Sequence, residues 1–148
     1  MKLKYTLFLS ILLSSFSYNV IATEQYICTA NKSTGFSYNK ATKEWNSTHF
    51  KADSKYLFST SKDKKYTYKV SKFGSKSPVA LCNQLFSDHG SIQCNEGFGT
   101  DFRFNKENGR YLFIMGFGYY FVRPDTPNGT KDEGSDTPFM EIGKCLPF

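Results

Sequence analysis

Aromatic and β-branched side chains recur at every second position in short runs, and that period constrains the fold more than anything else in the chain. Tyr66, Tyr68 and Val70 alternate with Thr67, Lys69 and Ser71, and Phe102 and Phe104 alternate with Asp101, Arg103 and Asn105. A period of two sends one set of side chains to a buried face and the other to water, which is the pattern of a half-buried strand. Residues 26–29, 35–38 and 56–60 are further short runs of strand-forming types. Polar turns separate them: Asn31-Lys32-Ser33-Thr34-Gly35, Lys62-Asp63-Lys64 and Asn108-Gly109. Asn-Gly favours the left-handed backbone of a tight hairpin, so Phe102-Arg103-Phe104 is expected to pair with 111–115. The expected fold class is mostly β: an antiparallel sheet closed as a small barrel or stacked as a sandwich.

One segment reads differently. Ser77-Pro78 resembles a helix cap followed by a first-turn proline, and Val79, Cys82, Leu85 and Phe86 fall on one helical face. This predicts one short helix over 78–88, ended by Gly90 and held to the sheet through Cys82. The run 111–122 is apolar apart from its glycines and reads as two buried strands meeting at a glycine bend. There is also an internal echo. Phe36-Ser37-Tyr38-Asn39-Lys40 leads to Trp45 as Phe102-Arg103-Phe104-Asn105-Lys106 leads to Tyr111, each an aromatic strand, an Asn-Lys turn and an aromatic re-entry.

The first residues set the compartment. Lys2 and Lys4 precede an apolar stretch over 5–16, and Val20-Ile21-Ala22 has the small-x-small form that a signal peptidase cuts. The expectation is a cleavable signal peptide over 1–22 and a single domain over 23–148, periplasmic or secreted. No later apolar run is long enough for a membrane-spanning helix, so no transmembrane segment is expected in the mature chain. Cys28, Cys82, Cys94 and Cys145 all follow the leader, and an even count in an oxidising compartment reads as two disulfides. Three pairings are possible. The favoured one joins Cys28 to Cys145 at the two ends of the domain and Cys82 to Cys94 around a short loop. Cys82, His89, Cys94 and Cys145 also have spacings a zinc ion accepts, but only as reduced thiolates, so neither metal nor cofactor is expected.

The formal charge of +6 includes the two leader lysines, and this mild excess does not point to nucleic acid. Its distribution is more informative. Residues 51–76 hold eight lysines against Asp53 and Asp63, whereas 125–141 hold five acids against Lys131. The Pro/Gly-punctuated loop 124–136 carries Asp125, Asp132, Glu133 and Asp136, the expected partner-binding residues. An alternative binding face comprises Lys62, Lys64, Lys65, Lys69 and Tyr66, with Tyr56 or Trp45 exposed beside it. Catalytic signatures are lacking: there is no nucleophile elbow, paired carboxylate motif or phosphate loop. His49 and His89 are the only histidines, and the chain is read as a binding protein rather than an enzyme. A small hydrolase built on either histidine is the remaining reading.

Three segments carry a resemblance: 35–45, 102–106 and Asp136-Thr137-Pro138 through Ile142-Gly143-Lys144-Cys145. Together they resemble a group of small exported proteins of proteobacteria and their prophages, which brings no activity or site residue with it. Tyr26-Ile27-Cys28 is in addition similar to the first strand of the periplasmic and membrane-bound inhibitors of c-type lysozyme, small barrels that end near a second cysteine. The Ser-Ala-Ser-Gly loop that those inhibitors push into the enzyme cleft is absent here. The functional expectation is an inhibitor or immunity-type neutraliser of a secreted or periplasmic enzyme, with a protein partner in the envelope or outside the cell. The alternative is an envelope or surface protein that binds glycan or anionic lipid.

Overall fold

The computed structural model describes residues 24–95, 97, 99–117, 119 and 137–148. The expected leader over 1–22 and the expected acidic loop with Asp125, Asp132, Glu133 and Asp136 lie outside the described residues, as does the end of the 111–122 run. Among the described residues there are nine strands: β1 (Gln25–Asn39), β2 (Glu44–Phe50), β3 (Lys55–Thr60), β4 (Tyr68–Lys72), β5 (Pro78–Cys82), β6 (Ser91–Cys94), β7 (Thr100–Asn105), β8 (Arg110–Met115) and β9 (Phe139–Pro147). All of the pairings are antiparallel, and eight strands follow the order β5-β4-β3-β1-β9-β8-β7-β6. The sheet curls until its two end strands, β5 and β6, face each other as a nearly closed barrel. Among the described residues no ladder joins them. The seam is held instead by the Cys82–Cys94 disulfide, by the Thr100 hydroxyl donating to the Val79 carbonyl, and by Gln84 Nε2 donating to the Gln93 carbonyl at 3.0 Å.

The predicted alternation is realised on β7, where Phe102 and Phe104 are buried while Arg103 points to solvent. Tyr68 and Val70 are buried on β4 in the same way. The hairpin at Asn108-Gly109 pairs Asn105 with Arg110, and Gly109 takes the left-handed φ of 67°. The echo in the sequence is an echo in turn chemistry. Asn39 Oδ1 accepts from the Ala41 and Thr42 amides at 2.9 and 3.4 Å, and Asn105 Oδ1 accepts from Glu107 and Asn108 at 3.0 and 3.2 Å. In both hairpins the asparagine that ends the first strand also closes the turn, as its short side chain allows.

The expected helix over 78–88 is not formed: residues 78–82 are β5, and 83–88 are irregular. Pro78 opens an end strand, where it withholds only one ladder donor. Ala80 and Cys82 are fully buried while Val79 and Leu81 are half-buried, which is a period of two. Leu85, assigned to the helical face, is exposed.

The barrel interior is solid. Phe58, Phe102, Phe104 and Phe113 are almost completely buried, with Tyr56, Tyr68, Tyr111, Val70 and Ile92 around them. Phe102 and Tyr111 stack at 5.2 Å and 13°, and Phe58 stacks on Tyr68 at 5.0 Å and 28°. Eight strands enclose just enough space for such side chains to fill. The Cys28–Cys145 pair sits in the same core, each residue the other's direct partner across β1 and β9.

β1 belongs to two structures at once. Residues 25–29 pair with β3 in the barrel wall, whereas 33–39 pair with β2 as an arm, and β9 follows the other edge of β1 through a register shift between Ala30 and Lys32. Gly143 lies where this bend brings the chains closest. A Cβ there would stand 2.6 Å from a ring carbon of Tyr111 and would collide with the Thr29 carbonyl, so the position has no room for a side chain.

Candidate binding surfaces

Because the barrel is filled, its exposed polar groups lie on the outer wall and the loops, and one buried polar strip runs along the wall. The lysine-rich segment forms the turn between β3 and β4. Ser61 Oγ accepts from the Asp63 amide and Asp63 Oδ1 from the Lys65 amide, at 3.1 and 3.0 Å, which folds the turn tightly. Lys62, Lys64 and Lys65 project from it, all exposed. The Lys65 ammonium lies 5.1 Å from the centre of the Tyr66 ring, within reach of its negative face. Lys69 stands apart from the turn, on the β4 ladder opposite Ser59 and Leu81. Tyr56, expected beside this face, is instead buried in the core. Trp45 is on the β1–β2 arm, half-buried between Tyr38 and Tyr119 with ring centres 5.5 and 5.6 Å away.

The two histidines are not brought together with catalytic partners. His49 is exposed on β2, and His89 is exposed in the turn before β6, where its carbonyl accepts from Asn105 Nδ2 at 3.1 Å. All four cysteines are paired in the two disulfides, so the zinc arrangement around Cys82, His89, Cys94 and Cys145 has no thiolate to use. Two such bonds are what an oxidising compartment outside the cytoplasm sustains. No helix among the described residues is long and apolar enough to cross a membrane.

The polar strip centres on Glu141, a residue the sequence reading counted only as one acid among five. It is 2 % exposed and faces inward from β9, on the same side of the strand as Gly143 and Cys145. Its Oε2 accepts from the Tyr56 hydroxyl at 2.6 Å and its Oε1 from the Ser54 hydroxyl at 2.8 Å. These bonds tie β9 to β3 and to the residue preceding it across the end of the barrel, where β1 turns away into the arm. A buried carboxylate is tolerable only with such donors. A cleft of about 300 Å³ lined by Ser33, Phe50, Lys51, Thr137, Phe139 and Glu141 lies alongside. The strand pattern held the signal: in Met140-Glu141-Ile142-Gly143-Lys144-Cys145 the acid shares the parity of the cysteine, not of the lysine.

Burial and this carboxylate act on the neighbouring phenols. Burial first, and then the hydrogen bond to Glu141, raises the Tyr56 pKa far above the ordinary phenol value, and burial followed by the Glu141 charge raises that of Tyr111. Tyr68 is pushed up to about 12 by burial and by its bond to Glu24. A phenol whose folded pKa is raised contributes stability that is intact below the unfolded pKa of about 10 and is lost as pH climbs through the folded value. Stability is therefore expected to hold to about pH 9.5 and to fall steeply between about pH 10 and 12, with the phenolate absorbance of Tyr56, Tyr68 and Tyr111 appearing together with unfolding. Urea midpoints measured across that range, with absorbance followed in parallel, check this. Ionisation of every phenol near pH 10 with the fold intact would mean that Tyr56, Tyr68 and Tyr111 are not held as described.

No protein-family model matches the chain, and neither a curated protein nor a solved structure matches it.

Proposed function

We propose that the protein is an exported binding module of the inhibitor or immunity type, whose target is an enzyme of the envelope or the extracellular medium. The observation that carries this reading is the solid interior. Rings fill the space between the strands, so a ligand meets the molecule at its outer wall and loops and not in a central cavity. A wall held by ladders and two internal disulfides loses little freedom on binding, and so more of the contact energy appears as affinity. The resemblance to lysozyme inhibitors points the same way, with Cys28 and Cys145 joining the first and last strands. The acidic residues Asp125, Asp132, Glu133 and Asp136 are the contacts this reading assigns, to be met by a basic surface on the target.

The test is capture from envelope extract and culture supernatant on immobilised oxidised protein. The control is a variant carrying Asp125→Asn, Asp132→Asn, Glu133→Gln and Asp136→Asn. One enriched enzyme, inhibited by the wild type and lost by the variant, is the expected result. Equal capture by both proteins would remove the loop from the interface.

A second reading is favoured by the lysine turn, where Lys65 lies over Tyr66 beside exposed Lys62 and Lys64. Such a tip suits an anionic glycan or lipid headgroup. Retention on an acidic polysaccharide that fades with salt and with Lys→Gln changes in the turn would favour it over a shape-fitted inhibitor.

A further inference from the structure

We infer that the outer wall along β9 is a docking face for an anionic phospholipid bilayer. This is independent of the protein-binding reading and uses a surface distinct from the lysine turn. The outward positions of β9 are Met140, Ile142, Lys144 and Leu146, and the three apolar ones are 42, 50 and 69 % exposed. Successive outward side chains on a strand are about 7 Å apart, so these residues make a continuous ridge. Its neighbours in register extend it sideways: Ile114 lies beside Met140, Leu112 beside Ile142, and Ile27 beside Leu146. An apolar surface of this extent on a water-facing wall marks a contact site.

The charges define what it contacts. Lys144 stands directly opposite Arg110 on β8, and Lys32 on β1 stands opposite Ile142, all three exposed. Like charges opposite each other destabilise a sheet, and among the described residues no acid side chain bonds to any of the three. Asp101, the one acid in the neighbouring outward row, is already held by Arg103 at 2.7 Å and by Gln93 at 3.0 Å. The face is therefore an apolar crest interrupted by Lys144, with Arg110 and Lys32 on its two flanks. A second copy of the same face would set Lys144 and Arg110 against their own kind.

Shape favours a flat anionic partner. A convex barrel wall touches a plane along one strand, and here that strand is β9. The apolar crest enters the headgroup boundary, while Lys32, Lys144 and Arg110, with their long aliphatic stems, reach lipid phosphates beside it.

The experiment is vesicle flotation with the oxidised protein, comparing phosphatidylglycerol mixed into phosphatidylcholine with phosphatidylcholine alone. Wild type is expected to float with the anionic vesicles only, and to be released at about 0.5 M salt, where charge is screened within a few ångströms. Arg110→Glu with Lys144→Glu is expected to weaken binding at least tenfold. Ile142→Ser with Leu146→Ser is expected to weaken it several-fold at unchanged charge. These side chains are exposed, so both variants keep the wild-type urea midpoint, and that is measured alongside. A turn variant with Lys62, Lys64 and Lys65 all changed to Glu is expected to bind as wild type does. Four outcomes would overturn the assignment. They are binding equal on both vesicle types, binding retained by Arg110→Glu with Lys144→Glu, loss confined to the turn variant, and a concentration-dependent dimer disrupted by the β9 variants without any flotation.

Discussion

Converting Cys28 and Cys145 together to alanine is expected to lower the stability of the folded chain by about 5 kcal/mol, enough to unfold a large share of it at body temperature. The two residues are 117 positions apart, so their bond removes a very large loop from the unfolded ensemble. Cys82 and Cys94 are 12 apart, and the matching double alanine variant is expected to lose about 3 kcal/mol on the same chain-entropy reasoning. Alanine avoids placing new hydroxyls at positions that are almost fully buried. Urea unfolding of the two variants beside the oxidised wild type gives the comparison directly. The order matters more than the absolute values. A larger loss from the short-loop pair would mean that seam closure, and not loop entropy, dominates the contribution of these bonds.

Phe58→Ala is expected to cost about 4 kcal/mol, in the range for emptying an aromatic site in a packed core. The ring is completely buried and meets Tyr26, Tyr68, Phe86, Phe102 and Phe104, with ring centres 5.0 to 6.5 Å away. Apart from Phe86, those neighbours come from β1, β4 and β7, and a wall held by ladders cannot collapse to close the gap. Phe36→Ala is the internal comparison, since that ring is half exposed on the arm and its loss is expected to move stability by no more than about 0.5 kcal/mol. Thermal and urea midpoints of the two variants measure the difference. A Phe58→Ala protein within about 1 kcal/mol of wild type would mean that the interior repacks, contrary to the solid core on which the functional proposal rests.

Much of this architecture is legible in the chain because it depends on local chemistry. The Phe102 hairpin follows from alternation and Asn-Gly, and both disulfides pair as the end-to-end and short-loop reading anticipates. The helix over 78–88 misleads because Val79, Cys82, Leu85 and Phe86 satisfy a helical period, while 78–82 serves equally well as a strand. Tertiary context decides between the two, through the β4 ladder and the bond from Cys82 to Cys94. The buried role of Glu141 requires knowing which parity of β9 faces inward, and the cysteine at 145 supplies that only once its partner is known. The β9 face is the least legible feature. Lys144, Arg110 and Lys32 are far apart in sequence, and only cross-strand register makes them neighbours. The lysine turn, by contrast, is contiguous and visible at once.

The seam also makes closure of the barrel depend on a covalent bond. In most closed barrels the last step is hydrogen bonding between two strands, which the chain accomplishes unaided in any compartment. Here β5 and β6 meet without a ladder, and a covalent bond between Cys82 and Cys94 stands in its place. Without that bond the two margins would be joined, among the described residues, only by the Thr100–Val79 and Gln84–Gln93 hydrogen bonds, and a margin without a ladder is the kind of edge that recruits strands from other copies. Closure of the seam is thereby a redox-dependent property of the fold. Among reducing thiols the barrel would be closed by those two hydrogen bonds alone, whereas the oxidised chain is clamped shut.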